Sequence, residues 1–203
     1  MGMIINPYRF VVGGINQIVS SRDLRNGAAW STDAQTQTYD QTGLDDDPNT
    51  ATYLADTSGS FRTAAQNITI SADSETHTAV FYYKKTTGAT VFPGALLDLS
   101  GGTLVRSAWT VGTNTGILTA RGSNAGTVDK LIESYGDWWR VSAEATNNGT
   151  NNNILIWVVP AATSSESSGS WQGTHQGDVI VGNVEVYFNS TIEDVSGYAP
   201  NYT

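Results

Sequence analysis

The sequence predicts an all-β fold, a two-sheet jelly-roll β-sandwich behind an extended N-terminal arm. Three observations carry this. The 203 residues include 21 glycines and many Thr, Ser and Asn, a composition that favours turns over long helices. Short apolar runs recur between turn residues, giving ten or so strand-length segments, more than an open sheet usually holds. No stretch shows convincing amphipathic helical spacing. The length suits one large domain, or one domain with a short arm.

Residues 1–21 form the arm. Ile4, Ile5, Phe10, Val11 and Val12 surround Pro7 and the Gly13-Gly14 pair with almost no charge, and a glycine pair provides a hinge. Apolar surface left in water is a liability, so Ile4, Ile5, Tyr8 and Phe10 are expected to dock on a partner or neighbouring subunit. The alternative is that the arm covers an edge of its own domain.

Residues 22–203 form the sandwich. Thr36–Tyr39 and Thr50–Leu54 are strands flanking an acidic loop at 43–49, and Phe61–Ser71 leads through a turn into His77–Lys85. Further strands are expected at Val91–Leu99, Leu104–Val111, Gly116–Arg121, Lys130–Ser134, Trp138–Ala145, Asn153–Val159 and Val179–Phe188. Segments 146–152 and 163–170, rich in Gly, Ser and Asn, read as loops, the second the more mobile. No internal repeat is present.

Successive strand side chains point to opposite faces. Trp139, Val141 and Ala143 therefore share one face, and Trp138, Arg140, Ser142 and Glu144 the other; the first set reads as core and the second as solvent-facing. Asn153–Val159 is apolar on both faces, as in a central strand covered on both sides. Trp30, Trp109 and Trp157 read as core filling.

Charge and composition exclude several functions. Ten basic residues against nineteen acidic ones give a net charge of −9, which repels phosphate backbones and anionic membranes, so neither nucleic acid nor membrane insertion is expected. No segment approaches the roughly 20 apolar residues of a membrane span. The start lacks a signal peptide's basic and apolar regions, so synthesis in a cytoplasm without Sec export is expected. Asn6 breaks a myristoylation pattern at Gly2. There is no cysteine, hence no disulfide framework or thiolate site.

Catalytic groups are few. His77 and His175 are the only histidines, and no zinc-binding, nucleophile-elbow, phosphate-loop or dinucleotide motif is present. His77 on a strand reads as structural. A pair of carboxylates meeting in space is the one catalytic class left open; an enzyme is not expected, and no cofactor is required. With only 14% charged residues, the surface is built of hydroxyls and amides and suits neutral polyhydroxyl ligands or packing against sister proteins. Sugar sites pair an aromatic platform with amides, carboxylates and guanidinium groups. Trp138 with Arg140, joined by loop residues Trp171 and Gln172, is the candidate; the alternatives are that Trp138 packs beneath Arg140 or faces another subunit. Asp45, Asp46 and Asp47, before Pro48-Asn49, are the metal candidate, since calcium takes about 6 to 8 oxygen ligands. A solvated acidic turn is the alternative.

Several motifs go further. Tyr135-Gly136-Asp137-Trp138-Trp139-Arg140-Val141-Ser142, Trp157-Val158-Val159-Pro160-Ala161, the 177–186 strand from Gly177 to Val186, and the exit Gly197-Tyr198-Ala199-Pro200-Asn201-Tyr202 occur in that order. With Asp23–Ser31 near the front, this order resembles jelly-roll modules of bacteriophage virion proteins that are like galactose-binding and carbohydrate-binding modules. Met1–Phe10 resembles the start of tail and virion-surface proteins of environmental phages. The resemblance implies a non-catalytic protein on the virion surface, in a tail or fibre or as a capsid decoration. Its partners would be other virion proteins, sister copies (trimers favoured) and host-surface polysaccharide. A decoration or cement protein that uses the same fold without binding sugar is the alternative. Related jelly rolls often carry a structural calcium near an early acidic loop, helped by a last-strand carboxylate, and the resemblance puts Glu185 in that role.

Overall fold

The computed structural model describes residues 15–25, 27, 29–34, 36–58, 60–88, 92–121, 130–164, 175–196 and 198–202. They form two six-stranded antiparallel sheets. The first, in spatial order, contains β1 (Ser31–Thr32), β4 (Ala64–Thr69), β11 (Asn153–Thr163), β6 (Phe92–Ser100), β7 (Val105–Val111) and β8 (Leu118–Ala120). The second contains β2 (Thr36–Gln41), β3 (Ala51–Asp56), β12 (Gly177–Tyr187), β5 (Thr76–Lys84), β10 (Trp138–Thr146) and β9 (Lys130–Tyr135). Helix α1 (Ile192–Val195) follows β12. The expected two-sheet jelly-roll sandwich is the observed fold, and every anticipated strand is present with its ends shifted by a few residues.

Turn chemistry explains why the ends fall where they do. β9 and β10 meet through Gly136-Asp137, with Tyr135 opposite Trp138. Gly136 has φ 55°, and a glycine at the first central position of a two-residue hairpin matches the strand twist. Two elements had no sequence signal. β1 is two residues long, and α1 is a single turn held by a capping box in which Thr191 and Asp194 satisfy each other's backbone N–H. β11 also runs on past Val159 to Thr163 across a register shift.

The facing sides of the sheets interdigitate into the main core. Trp109 packs edge-on to Phe81 with ring centroids 5.3 Å apart, among Leu97, Leu99, Val141, Ile154 and Ile156. Trp30 and Trp109 are core, as expected, but Trp157 is half-buried on the outer face of the first sheet. β11 is thus central without being fully covered on both sides. His77 is buried on β5, edge-on to Phe188 and 3.5 Å from Asp73 Oδ1. Burial pulls its pKa down, which suits the structural role read from the sequence.

The outer face of the second sheet carries a second apolar cluster, and this corrects the expected exposure of Trp138. Trp138 is 3% exposed and packs with Ala51, Val80, Tyr82, Tyr187 and Val195 beneath Leu44, Ile180 and Tyr198. The alternation placing Trp138 and Trp139 on opposite faces is right. The inference that one face meets water is wrong, because α1 and the C-terminal segment fold over it. Trp139 is the less buried of the two: it lies against the rim of the main core and donates its indole N–H to the Thr113 carbonyl at 2.9 Å.

The arm boundary also moves. Residues 1–14, with Ile4, Ile5, Tyr8, Phe10 and Gly13-Gly14, lie outside the described residues. Residues 15–21 are part of the domain, not of a free arm. Ile18 is core, Gln17 N–H donates to the Val186 carbonyl and Val184 N–H to the Ser21 carbonyl, both at 2.9 Å. The Asn16 carboxamide accepts from Val186 N–H and donates to the carbonyls of Val184 and Asn201.

Candidate functional site

The outer face of the first sheet places an aromatic pair beside polar planar groups. Directly paired residues share a face, so the registers of β4, β11, β6 and β7 define two adjacent rows. One runs Asn67, Leu155, Asp98, Arg106; the next runs Ala65, Trp157, Leu96, Ala108. Leu155, Trp157 and Arg106 are half-buried and Asn67 is exposed. Phe61, on the approach to β4, lies with its ring centroid 5.7 Å from that of Trp157 at 50°.

Asp98 and Arg106 form a two-point ion pair, Nε to Oδ1 at 2.8 Å and Nη2 to Oδ2 at 2.6 Å. The Asp98 side chain is almost wholly buried and the Arg106 side chain a third exposed. Hydrogen bonding to Asp98 raises the Arg106 pKa further, and the two-point contact fixes the guanidinium against the carboxylate. The row can therefore offer an apolar face for stacking and fixed donors and acceptors alongside it. None of Phe61, Asn67, Asp98 or Arg106 stood out in the sequence. An alternating pattern shows that two residues share a face, but only strand pairing brings four strands' residues into one row.

The residues expected from sequence to bind sugar do not form an exposed platform. Trp138 is sealed under the C-terminal segment. Arg140 is buried beside it, donating to Tyr82 Oη at 3.2 Å, Glu133 Oε2 at 2.7 Å and the Val195 carbonyl at 2.9 Å. The guanidinium thus anchors α1 to β10 and β5. One side of Arg140 does reach a pocket of about 350 Å3 shared with Tyr135 and Tyr198. Trp171 and Gln172 lie outside the described residues.

The expected calcium ligands do not come together either. Asp45 pairs with Arg22 and accepts from Thr50 Oγ1 at 2.9 Å and Asp47 N–H at 3.3 Å. Glu185 is buried, its Oε1 accepting from Asn201 N–H at 2.7 Å and Asn183 Nδ2 at 2.8 Å, and its Oε2 from Tyr187 Oη at 3.0 Å. The Asp45 and Glu185 carboxylates are engaged by protein donors, and among the described residues no group of three or more His, Asp or Glu is arranged to hold a metal. Burial pushes the Glu185 pKa up to about 7.

No protein-family model matches the chain, and no curated protein does. Solved structures are similar at the level of fold. The enzymatically active domain of bacteriophage CBA120 tailspike protein 4 is 14% identical over 86% of this chain, with a TM-score of 0.51. This chain spans only 21% of that tailspike chain, and at such identity the likeness shows the fold alone. Two carbohydrate-binding modules align over most of their lengths with lower TM-scores. CBM35 from Cellvibrio japonicus Abf62 is 12% identical, covering 84% of this chain and 93% of that one, at 0.38. TmCBM61, solved with beta-1,4-galactotriose, is 10% identical, covering 79% and 89%, at 0.39. No helix among the described residues is long and apolar enough to cross a membrane.

Proposed function

We propose that this chain is a non-catalytic surface protein of a bacteriophage virion whose jelly roll holds glycan on the host surface and whose first residues attach it to the particle. The observation that carries the reading is the outer face of the first sheet. The Trp157–Phe61 pair lies one row from the Asp98–Arg106 ion pair and Asn67, the combination that stacks on the CH-rich side of a sugar ring and hydrogen-bonds its hydroxyls. The low charged fraction, the motif order along the chain and the fold shared with a phage tailspike domain support it. Its partners are other virion proteins and sister copies, with a trimer the assembly expected of a fibre.

Trp157→Ala tests the glycan half. The side chain is half-buried and lies outside the main core, so the variant is expected to fold while losing adsorption to host cells and retention on a glycan array. Undiminished adsorption by a folded Trp157→Ala domain would overturn the adhesion reading. Cryo-electron microscopy that found the chain absent from the particle surface would overturn the virion role. A second reading, a capsid decoration using the sandwich as a rigid body, is favoured by the sealing of Trp138 under the C-terminal segment, which removes the aromatic that the motifs alone offered to a sugar.

A further inference from the structure

A cleft of about 960 Å3 opens on the side of the sandwich, between the edges of its two layers. It exists because β1 pairs with β4 only at Ala64 and Ala65, so among the described residues no strand continues the first sheet beyond Gln66–Thr69. That stretch forms one wall. The other is the 17–20 segment, held in the layer of the second sheet by its bonds to β12.

Gln66 fixes the two walls relative to each other. Its carboxamide oxygen accepts from Val19 N–H and its amide donates to the Val19 carbonyl, both at 3.0 Å. The cleft is thus held open by a buried two-point clamp, and a ligand entering it meets a preformed site. Trp30 closes the floor at 1% exposure, with its indole N–H on the Ser20 carbonyl at 3.1 Å. The indole is a spacer here and offers no stacking face.

The lining selects by charge and hydrogen bonding. Among the described residues its only ionisable side chains are Asp23 and Arg25, which bind each other through Nε to Oδ1 at 2.8 Å and Nη2 to Oδ2 at 2.7 Å. The hydrogen bond from Arg25 holds the Asp23 carboxyl below its usual range. The pair therefore stays charged and cancels, so neither an anion nor a cation gains from entering. What remains is a run of planar carboxamides and hydroxyls from Gln17, Gln37, Asn67, Ser20 and Thr69. A carboxamide offers two donors and two acceptor lone pairs; Gln17 spends one donor on the Ile15 carbonyl and Gln37 one on the Ala34 carbonyl at 2.7 Å.

We propose that this cleft is a second carbohydrate site, one that takes a linear, uncharged oligosaccharide by hydrogen bonding alone. The ligand class rests on the glycan-adhesion reading, but the site is separate from the Trp157 face. Asn67 belongs to both, since it lines the cleft and heads the row through Leu155 and Asp98. A polysaccharide laid across Trp157 can therefore continue around β4 into the cleft, and two weak contacts on one chain reinforce each other through effective concentration.

The test uses the full chain, isotope-labelled, with cellohexaose, mannohexaose, maltohexaose and β-1,4-galactohexaose as probes. The expected result is that at least one hexasaccharide shifts the side-chain amide signals of Gln17 and Asn67. A Gln17→Ala/Gln37→Ala double variant should bind it about tenfold more weakly with an unchanged melting curve, while Trp157→Ala keeps the Gln17 shift. If shifts are confined to Trp157 and Asn67 and the double variant binds at full strength, the cleft proposal falls and the adhesion reading stands. If no probe moves either set, both fall. If a peptide of the sequence 1–14 moves the Gln17 signal and no sugar does, the cleft is a docking edge for an extended chain and the proposal is wrong.

Discussion

Trp138 and Trp139 occupy opposite faces of one strand, and both faces are covered. The indole of Trp138 is the more deeply enclosed, lying on Gly182 with Val80, Tyr82 and Val195 around it. Trp138→Ala is expected to cost about 3–5 kcal/mol, the range for emptying a large buried aromatic site. Trp139→Ala should cost less, because part of that ring already meets solvent and Lys85 Nζ, 4.5 Å from its centroid. Urea melts of both variants check the order; a greater loss for Trp139→Ala would contradict it. Arg140 shows the same lesson in a polar group. Its type and spacing suggested a sugar contact, but three protein acceptors claim its guanidinium.

At the scale of elements, the β12 register shift between Val181 and Asn183 is where the second sheet accommodates the Trp138 ring. A Cβ on Gly182 would stand 2.9 Å from the indole and 3.0 Å from Leu44 Cγ, closer than carbon atoms tolerate. Gly182 has no left-handed φ, so backbone strain is not the issue; space is. Gly182→Ala is expected to destabilise by ~1–3 kcal/mol, as overpacking does, and to move the Trp138 fluorescence. Both effects should shrink in a Trp138→Phe background, where the smaller ring leaves room, and equal losses in the two backgrounds would show that Trp138 is not the obstacle. The strands themselves were legible in the sequence because their punctuation is local: Gly136-Asp137 specifies its turn whatever surrounds it. α1 was not legible, since one turn of helix has no periodicity to detect.

At the scale of the molecule, a polar network ties the two ends of the described chain together. Asn201 N–H donates to Glu185, and the Asn201 carbonyl accepts from Asn183 at 3.2 Å and from Asn16 at 3.1 Å. Burial raises the Glu185 pKa from 4.5 to about 7, against the pull of its three donors. A pKa raised in the folded state means that the folded chain binds the proton more tightly than the unfolded one, so stability falls as pH rises. This contribution is fully present below about pH 4.5, declines between there and 7, and is lost above. Melting temperatures across that window are expected to drop with rising pH, and Glu185→Gln, which cannot ionise, should flatten the slope. A slope unchanged in Glu185→Gln would mean that other carboxylates set it.

The sequence by itself determined the all-β class, the position of nearly every strand, the turn at Gly136-Asp137 and which residues of a strand share a face. It also set the low charged fraction, the acidic balance and the absence of cysteine. These depend on local backbone preference, period-2 alternation and composition, all present in any short window of the chain. Only the tertiary structure decided what lies over each face. The C-terminal segment seals Trp138 and Arg140, residues 15–21 join the domain, Glu185 and Asp45 find separate partners, and pairing of β4, β11, β6 and β7 sets Asn67 beside Asp98 and Arg106. The reason is that exposure and neighbourhood are properties of contacts between residues far apart in the chain. Trp138 and Val195, or Asn16 and Val184, have no relation that the sequence displays until the sheets assemble.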